Sequence, residues 1–182
     1  MKLLIIIFFT AFSFSVVAQL TEIPEQIIPK EYGFIVEIGQ QMPEIEFTLT
    51  DGTTVKISDL KGKVVMLQFT ASWCGVCRRE MPHIENDIWQ KHKNNTNFAL
   101  FGVDMDEPVE KVIKFGNDMK INYPLALDPE GKIFYTIAAK GAGITRNVII
   151  DKSGKIVYMT RLFKQDEFDE MVEVIELLLE SS

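Results

Sequence analysis

Histidine and cysteine are scarce in this 182-residue chain, with two of each, and the scarcity restricts its chemistry. A structural zinc site needs four ligands. Cys74 and Cys77 supply two, while His83 and His92 follow on one stretch without finger spacing or a second cysteine pair. Positive charge is also in deficit: 19 Lys and Arg face 26 Asp and Glu, and the net charge of -7 disfavours nucleic acid and anionic membrane surfaces as partners. There is no internal repeat and no low-complexity stretch. Apart from the N-terminus there is no long apolar run, and no cysteine follows that run to accept a lipid. What remains, 47% apolar and 25% charged residues, is an ordinary balance that builds one core without staples.

The first eighteen residues, MKLLIIIFFTAFSFSVVA, carry one positive charge and then only uncharged, mainly apolar residues. Val16 and Ala18 place small residues at a cleavage point, so residues 1–18 read as a signal peptide and the protein as exported, to the periplasm. An uncleaved leader would instead anchor the chain to the membrane; its apolar length is slightly short of the roughly 20 residues that span a bilayer. Residues 19–32 contain two prolines and no periodicity and read as a linker or irregular arm, leaving residues 33–182 as the folded domain.

Within that domain Ile45, Phe47 and Leu49 alternate with polar residues, turn at Asp51-Gly52 and resume at Val55 and Ile57, the pattern of a β-hairpin. Residues 64–69 form a near-continuous apolar run expected of a strand buried on both faces. Cys77, Met81, Ile84 and Ile88 then share a helical face that predicts a helix to about Lys93, kinked by Pro82. A second buried strand, residues 98–103, is expected to end at the acidic Asp104-x-Asp106. Val109, Val112, Ile113 and Phe115 predict a helix, residues 125–127 a short strand, and residues 147–151 and 156–162 a late hairpin. A C-terminal amphipathic helix carries Phe168, Met171, Val172, Ile175, Leu178 and Leu179. Alternating strands and helices predict an α/β domain, a central mixed sheet with helices on both faces.

Both cysteines sit in TASWCGVCRRE, where the buried strand hands over to the helix. Covalent haem attachment requires histidine after the second cysteine, and Arg78 stands there. A structural disulfide across so small a loop would remove little chain entropy. A redox couple fits better, because backbone N–H groups and the positive end of a helix dipole favour a thiolate at Cys74. Cys77, one turn further in, is then the more buried sulfur. Structural disulfide and zinc half-site remain as weaker readings. Arg78 and Arg79 either help to hold the thiolate or an acidic partner, or are solvated surface residues.

From about Gly33 onward the chain resembles the exported thioredoxin-fold thiol–disulfide oxidoreductases of the TlpA/ResA type. The resemblance rests on Gly39-x-x-Met42-Pro43, the Asp51-Gly52 hairpin, Ser58-Asp59-Leu60-x-Gly62-Lys63, Phe69-x-Ala71-x-Trp73-Cys74-Gly75-x-Cys77, Glu80-x-Pro82, and residues 147–151 before Gly154-Lys155. It implies a three-layer thioredoxin-like fold with an N-terminal β-hairpin, no metal and no organic cofactor. It implies as partners disulfide- or dithiol-bearing proteins and an upstream redox donor protein. Cys74 becomes the attacking thiol and Cys77 the resolving one, as a redox-active disulfide. Glu80 becomes either a proton shuttle near the pair or a surface salt-bridge partner. Trp73, Gly75, Val76, Ile144, Thr145 and Arg146 become the residues that meet substrate, with a plain surface role as the other reading of Arg146.

Two positions depart from the pattern. Gln68 stands where thioredoxin has a buried aspartate, so proton handling falls to Glu80 or water. Thr145 stands where the family has a cis-proline facing the cysteines, and a cis bond before threonine would cost about 2.5–4 kcal/mol. The absence of a histidine between the cysteines favours a reductant. Two alternatives share the fold. One is a thiol peroxidase, although the threonine expected three residues before the reactive cysteine is replaced by Ala71, with Thr70 one position off. The other is a non-enzymatic metal-binding or chaperone module that holds copper through the reduced thiols.

Overall fold

The computed structural model describes residues 22–181, so the leader expected at residues 1–18 lies outside the described residues. Seven strands form one mixed sheet in the order β2-β1-β5-β4-β3-β6-β7. In chain order they are β1 (Glu46–Leu49), β2 (Thr54–Lys56), β3 (Val64–Thr70), β4 (Phe98–Met105), β5 (Leu125–Asp128), β6 (Arg146–Ile150) and β7 (Ile156–Arg161). Strand β3 is an interior strand, parallel to β4 and antiparallel to β6, and β4 is parallel to β5. The expected hairpin is β1–β2, turned at Asp51, whose Oδ1 accepts the Thr53 N–H at 2.8 Å.

Every residue of β3 is buried, and its period-two alternation sorts them between two cores. Val65, Leu67 and Phe69 join Phe101, Val103, Val148 and Ile150 on one face, under the short helix α4 (Phe134–Ile137). Val64 and Met66 join Leu100, Ile149 and Tyr158 on the other. That second face is covered by α1 (Gly75–His83), α3 (Val109–Met119) and α5 (Gln165–Glu180), through Met81, Val112, Phe115, Phe168, Met171 and Ile175. Gln68 and Thr70 therefore point toward α1.

The helix that begins at the cysteines runs on as a π-helical segment, Ile84–Trp89, and ends in α2 (Gln90–His92). Pro82 forfeits one backbone bond, and proline costs about 3 kcal/mol inside a helix. Burial of Met81, Ile84 and Ile88 offsets this at about 1.5–3 kcal/mol each, so the helix passes through proline rather than stopping. The π segment follows directly, with the Ile84 N–H shared between the carbonyls of Glu80 and Met81.

Two expectations are corrected. Strand β4 does not end at Asp104 but runs to Met105, with Asp104 fully buried inside it. Ile113 does not support the apolar face of α3, since it is exposed. The irregular arm expected before Gly33 makes contacts of its own: the Gln26 side chain donates to the Met159 carbonyl at 2.7 Å and accepts the Met159 N–H at 2.8 Å. It thereby satisfies part of the open edge of β7.

Candidate active site

Strand β3 delivers the chain to a tight bend, residues 71–73, that is clamped from both sides. Glu107 accepts the Ser72 N–H at 2.6 Å and the Ser72 hydroxyl at 2.7 Å. Arg78 donates from Nε to the Ser72 carbonyl at 2.8 Å and lies 5.0 Å over the Phe115 ring. Arg79 donates to the Gly75 carbonyl. Arg78 also donates from Nη1 to Met119 Sδ at 3.7 Å, and neither arginine bonds a cysteine sulfur.

Cys74 is the N-cap of α1, with extended backbone angles, and its Sγ accepts the Cys77 N–H at 3.1 Å. The two cysteines are joined as a disulfide with Cα atoms 5.3 Å apart. Cys74 is 6% exposed and Cys77 0%, so Cys74 is the more accessible of the two residues. Gly75 leaves the approach open, with no atom within 4 Å of where a Cβ would stand, and Trp73 is 65% exposed beside the pair. Val76 is half-buried against the first core.

The loop before β6 closes over the sulfurs. Thr145 Oγ1 lies 3.2 Å from Cys74 Sγ and 3.4 Å from Cys77 Sγ. Ile144 and Thr145 are buried, and the peptide bond between them is trans. Arg146 is not a surface residue: it is fully buried, and its guanidinium lies 4.4 Å from the centroid of Phe34 and 5.1 Å from that of Phe134. Its Nη2 donates to the carbonyls of Gly143 at 2.8 Å and Tyr32 at 3.2 Å. Burial, with the Arg161 charge nearby, lowers its pKa to about 10, so it stays cationic at neutral pH.

Glu80 is not in a surface salt bridge. One turn beyond Cys77 on the same helix, it is 1% exposed, and its Oε1 accepts from Asn147 Nδ2 at 2.7 Å. Burial raises its pKa to about 7, against the opposing pull of the Asn147 and Gln68 amides. These amides belong to a row across the sheet. Gln68 pairs in register with Asn147, and Asn147 with Thr160, to which it donates at 2.8 Å. Tyr123 closes the other end by donating to Gln68 Oε1 at 2.7 Å. Gly102 permits this: a Cβ there would stand 3.1 Å from the Tyr123 ring and 2.6 Å from Leu125 Cδ2.

The sequence reading missed Asp104 and Glu107. Asp104 pairs in register with Thr70, and burial, followed by the Glu107 charge, raises its pKa to about 8. Burial also acts on Glu107, but Lys111 and Ser72 outweigh it and hold its carboxyl below the usual range. The signal was the acidic cluster at the end of β4, Asp104, Asp106 and Glu107, read only as the strand's end. Thr70 directs its hydroxyl to Met81 Sδ, at 3.6 Å, and not toward the cysteines. Among the described residues no group of three or more His, Cys, Asp or Glu is arranged to hold a metal ion.

Comparison with known proteins gives a consistent picture. The Redoxin family pattern matches residues 37–175. The thiol-disulfide oxidoreductase ResA of Bacillus anthracis is 34% identical over 123 residues, which cover 67% of this chain and 68% of that protein. A solution structure of a candidate protein disulfide isomerase from Bacteroides thetaiotaomicron is 57% identical, with a TM-score of 0.80, covering 82% of this chain and 94% of the other. A candidate thiol:disulfide interchange protein DsbE from Chlorobium tepidum is 28% identical with a TM-score of 0.66, covering 79% and 99%.

Proposed function

Because the chain belongs to the redoxin family and is a thiol–disulfide oxidoreductase with a thioredoxin-like fold, we propose that it is exported and reduces disulfides in protein partners through its Trp73-Cys74-Gly75-Val76-Cys77 stretch. An upstream redox donor protein returns it to the dithiol. In the reduced form the Cys74 thiolate attacks one sulfur of the partner's disulfide. That bond breaks, a mixed disulfide forms, and the released partner sulfur leaves with the electron pair and takes up a proton. Cys77, deprotonated, then attacks Cys74 Sγ, and the partner's second sulfur departs as a thiolate. Two electrons pass to the partner, and the Cys74–Cys77 disulfide remains.

The observation that carries this reading is the Cys77 N–H aimed at Cys74 Sγ at 3.1 Å, at the start of a helix, on the more exposed of the two sulfurs. Such a donor and the helix dipole both favour the thiolate. Glu80 is assigned the Cys77 proton: it sits one turn away, and with its pKa near 7 it can accept and release that proton at neutral pH. Trp73, Gly75, Val76 and Ile144 form the face presented to the partner, whereas Arg146 acts from inside by holding the loop. Export is supported by the signal-peptide pattern of residues 1–18, one positive charge followed by an apolar run and small residues at Val16 and Ala18. The reducing direction is supported by the lack of a histidine between the cysteines.

Insulin reduction tests the reading. Cys74→Ser is expected to abolish turnover, and unchanged turnover in that variant would overturn it. Cell fractionation with intact-mass measurement of the mature chain tests export and leader removal.

A further inference from the structure

Neither sulfur of a disulfide carries a proton, so in both contacts with Thr145 the hydroxyl is the only possible donor. Its oxygen lies within hydrogen-bonding distance of both sulfurs. We propose that the Thr145 hydroxyl is a catalytic hydrogen-bond donor of this enzyme, stabilising the thiolate of Cys74 in the reduced form and that of whichever sulfur departs during exchange. The inference rests on Cys74 being the attacking thiol.

The surroundings hold that hydroxyl in place without a proline. Thr145 carbonyl oxygen accepts the Leu162 N–H at 3.1 Å and Arg161 Nη1 at 3.4 Å. Two residues earlier, the Gly143 carbonyl accepts from buried Arg146. The Arg161 guanidinium packs where a Cβ of Gly143 would stand, so a side chain there would have to displace it. The two arginines thus pin the loop at both ends of Gly143–Thr145. With the loop fixed and Thr145 2% exposed, water cannot easily replace the donor, and a hydrogen bond to a charged sulfur is worth more there than in solvent.

The geometry serves both directions of exchange. When an incoming thiolate attacks Cys74 Sγ, the Cys74–Cys77 bond breaks and the electron pair goes to Cys77 Sγ, 3.4 Å from the hydroxyl. When the reduced enzyme attacks, the charge starts on Cys74 Sγ, 3.2 Å away. A proline at this position could stabilise neither sulfur by hydrogen bonding, since it has no donor.

The test titrates the Cys74 thiolate by its ultraviolet absorbance in Cys77→Ser, where no second thiol competes. Thr145→Val, which keeps the shape and lacks the hydroxyl, is expected to move the midpoint up by about one pH unit, the effect of one hydrogen bond to a charged group. Thr145→Ser restores the donor and is expected to return the midpoint to that of the parent. The ionisable groups packed around this loop, Arg161 on the Thr145 carbonyl, Arg146 on the Gly143 carbonyl and Glu80 on Asn147, are the same in parent and variants, so the change isolates the hydroxyl. If Thr145→Val fails to fold by circular dichroism, Thr145→Ala carries the same expectation. An unchanged midpoint in the hydroxyl-free variant overturns the inference. Failure of the Cys77→Ser parent itself to form a mixed disulfide through Cys74 would overturn the assignment of the nucleophile instead, and the two failures are separately visible.

Discussion

Replacing Glu80 with glutamine separates burial of a carboxyl from burial of its charge. Burial raises the Glu80 pKa from 4.5 to about 7, so between these values the folded protein binds a proton that the unfolded chain has released. Stability from this group therefore falls as pH rises, from near zero cost below pH 4.5 to a full cost above pH 7. At 1.36 kcal/mol per pKa unit, the full cost is about 3 kcal/mol. Glutamine has the same shape and never ionises. The expected result is that Glu80→Gln gains about 3 kcal/mol relative to the parent on going from pH 4 to pH 8. Urea denaturation of both oxidised proteins at several pH values measures this. Asp104 and the other titrating groups are common to both proteins and cancel in the difference. Parallel stability curves would refute the claim that Glu80 is buried with a raised pKa. The same variant is expected to slow exchange in the range where Glu80 must take the Cys77 proton, giving greater stability with less activity at pH 8.

Other residues give further expectations. Glu107→Ala removes the acceptor for the Ser72 N–H and hydroxyl and should cost about 2–3 kcal/mol, with slower insulin reduction as the bend before Cys74 loosens; denaturation and turnover check both. Gly102→Ala pushes a methyl against Leu125 and Tyr123 and should cost about 1–3 kcal/mol by overpacking, while displacing the Tyr123 hydroxyl from Gln68. Thermal denaturation reads the first effect and tyrosine ultraviolet absorbance the second.

The sheet, its hairpins and the helix at the cysteines were legible because an alternation of period two marks β1, a continuous apolar run marks β3, and a period near 3.6 persists through α3 and α5. So was the order of burial at the two sulfurs, since N-cap and first-turn positions follow from spacing alone. Side-chain partners across the sheet were not. Glu80 is ionisable and lies in a helix with no acidic residue in its first turn, and nothing in that pattern announces Asn147, which comes from the neighbouring strand β6, 67 residues later. Arg146 read as surface because arginine is seldom fully buried. Two aromatic rings from distant segments and two carbonyl acceptors reverse that rule. Asp104 was hidden in the same way, since a polar pair after an apolar strand signals a turn as often as a buried carboxyl. Thr145 was visible as a departure from the family pattern, but its meaning depends on two distances to sulfur that only the folded loop defines.

The central claim is that Cys74 attacks and Cys77 resolves. The most direct measurement incubates reduced Cys77→Ser and reduced Cys74→Ser separately with a disulfide-bearing protein and maps the covalent adducts by mass spectrometry under acid quench. The account predicts a stable mixed disulfide through Cys74 in Cys77→Ser and almost none in Cys74→Ser, where the remaining sulfur is fully buried. Adducts forming equally at either sulfur, or only through Cys77, would contradict it.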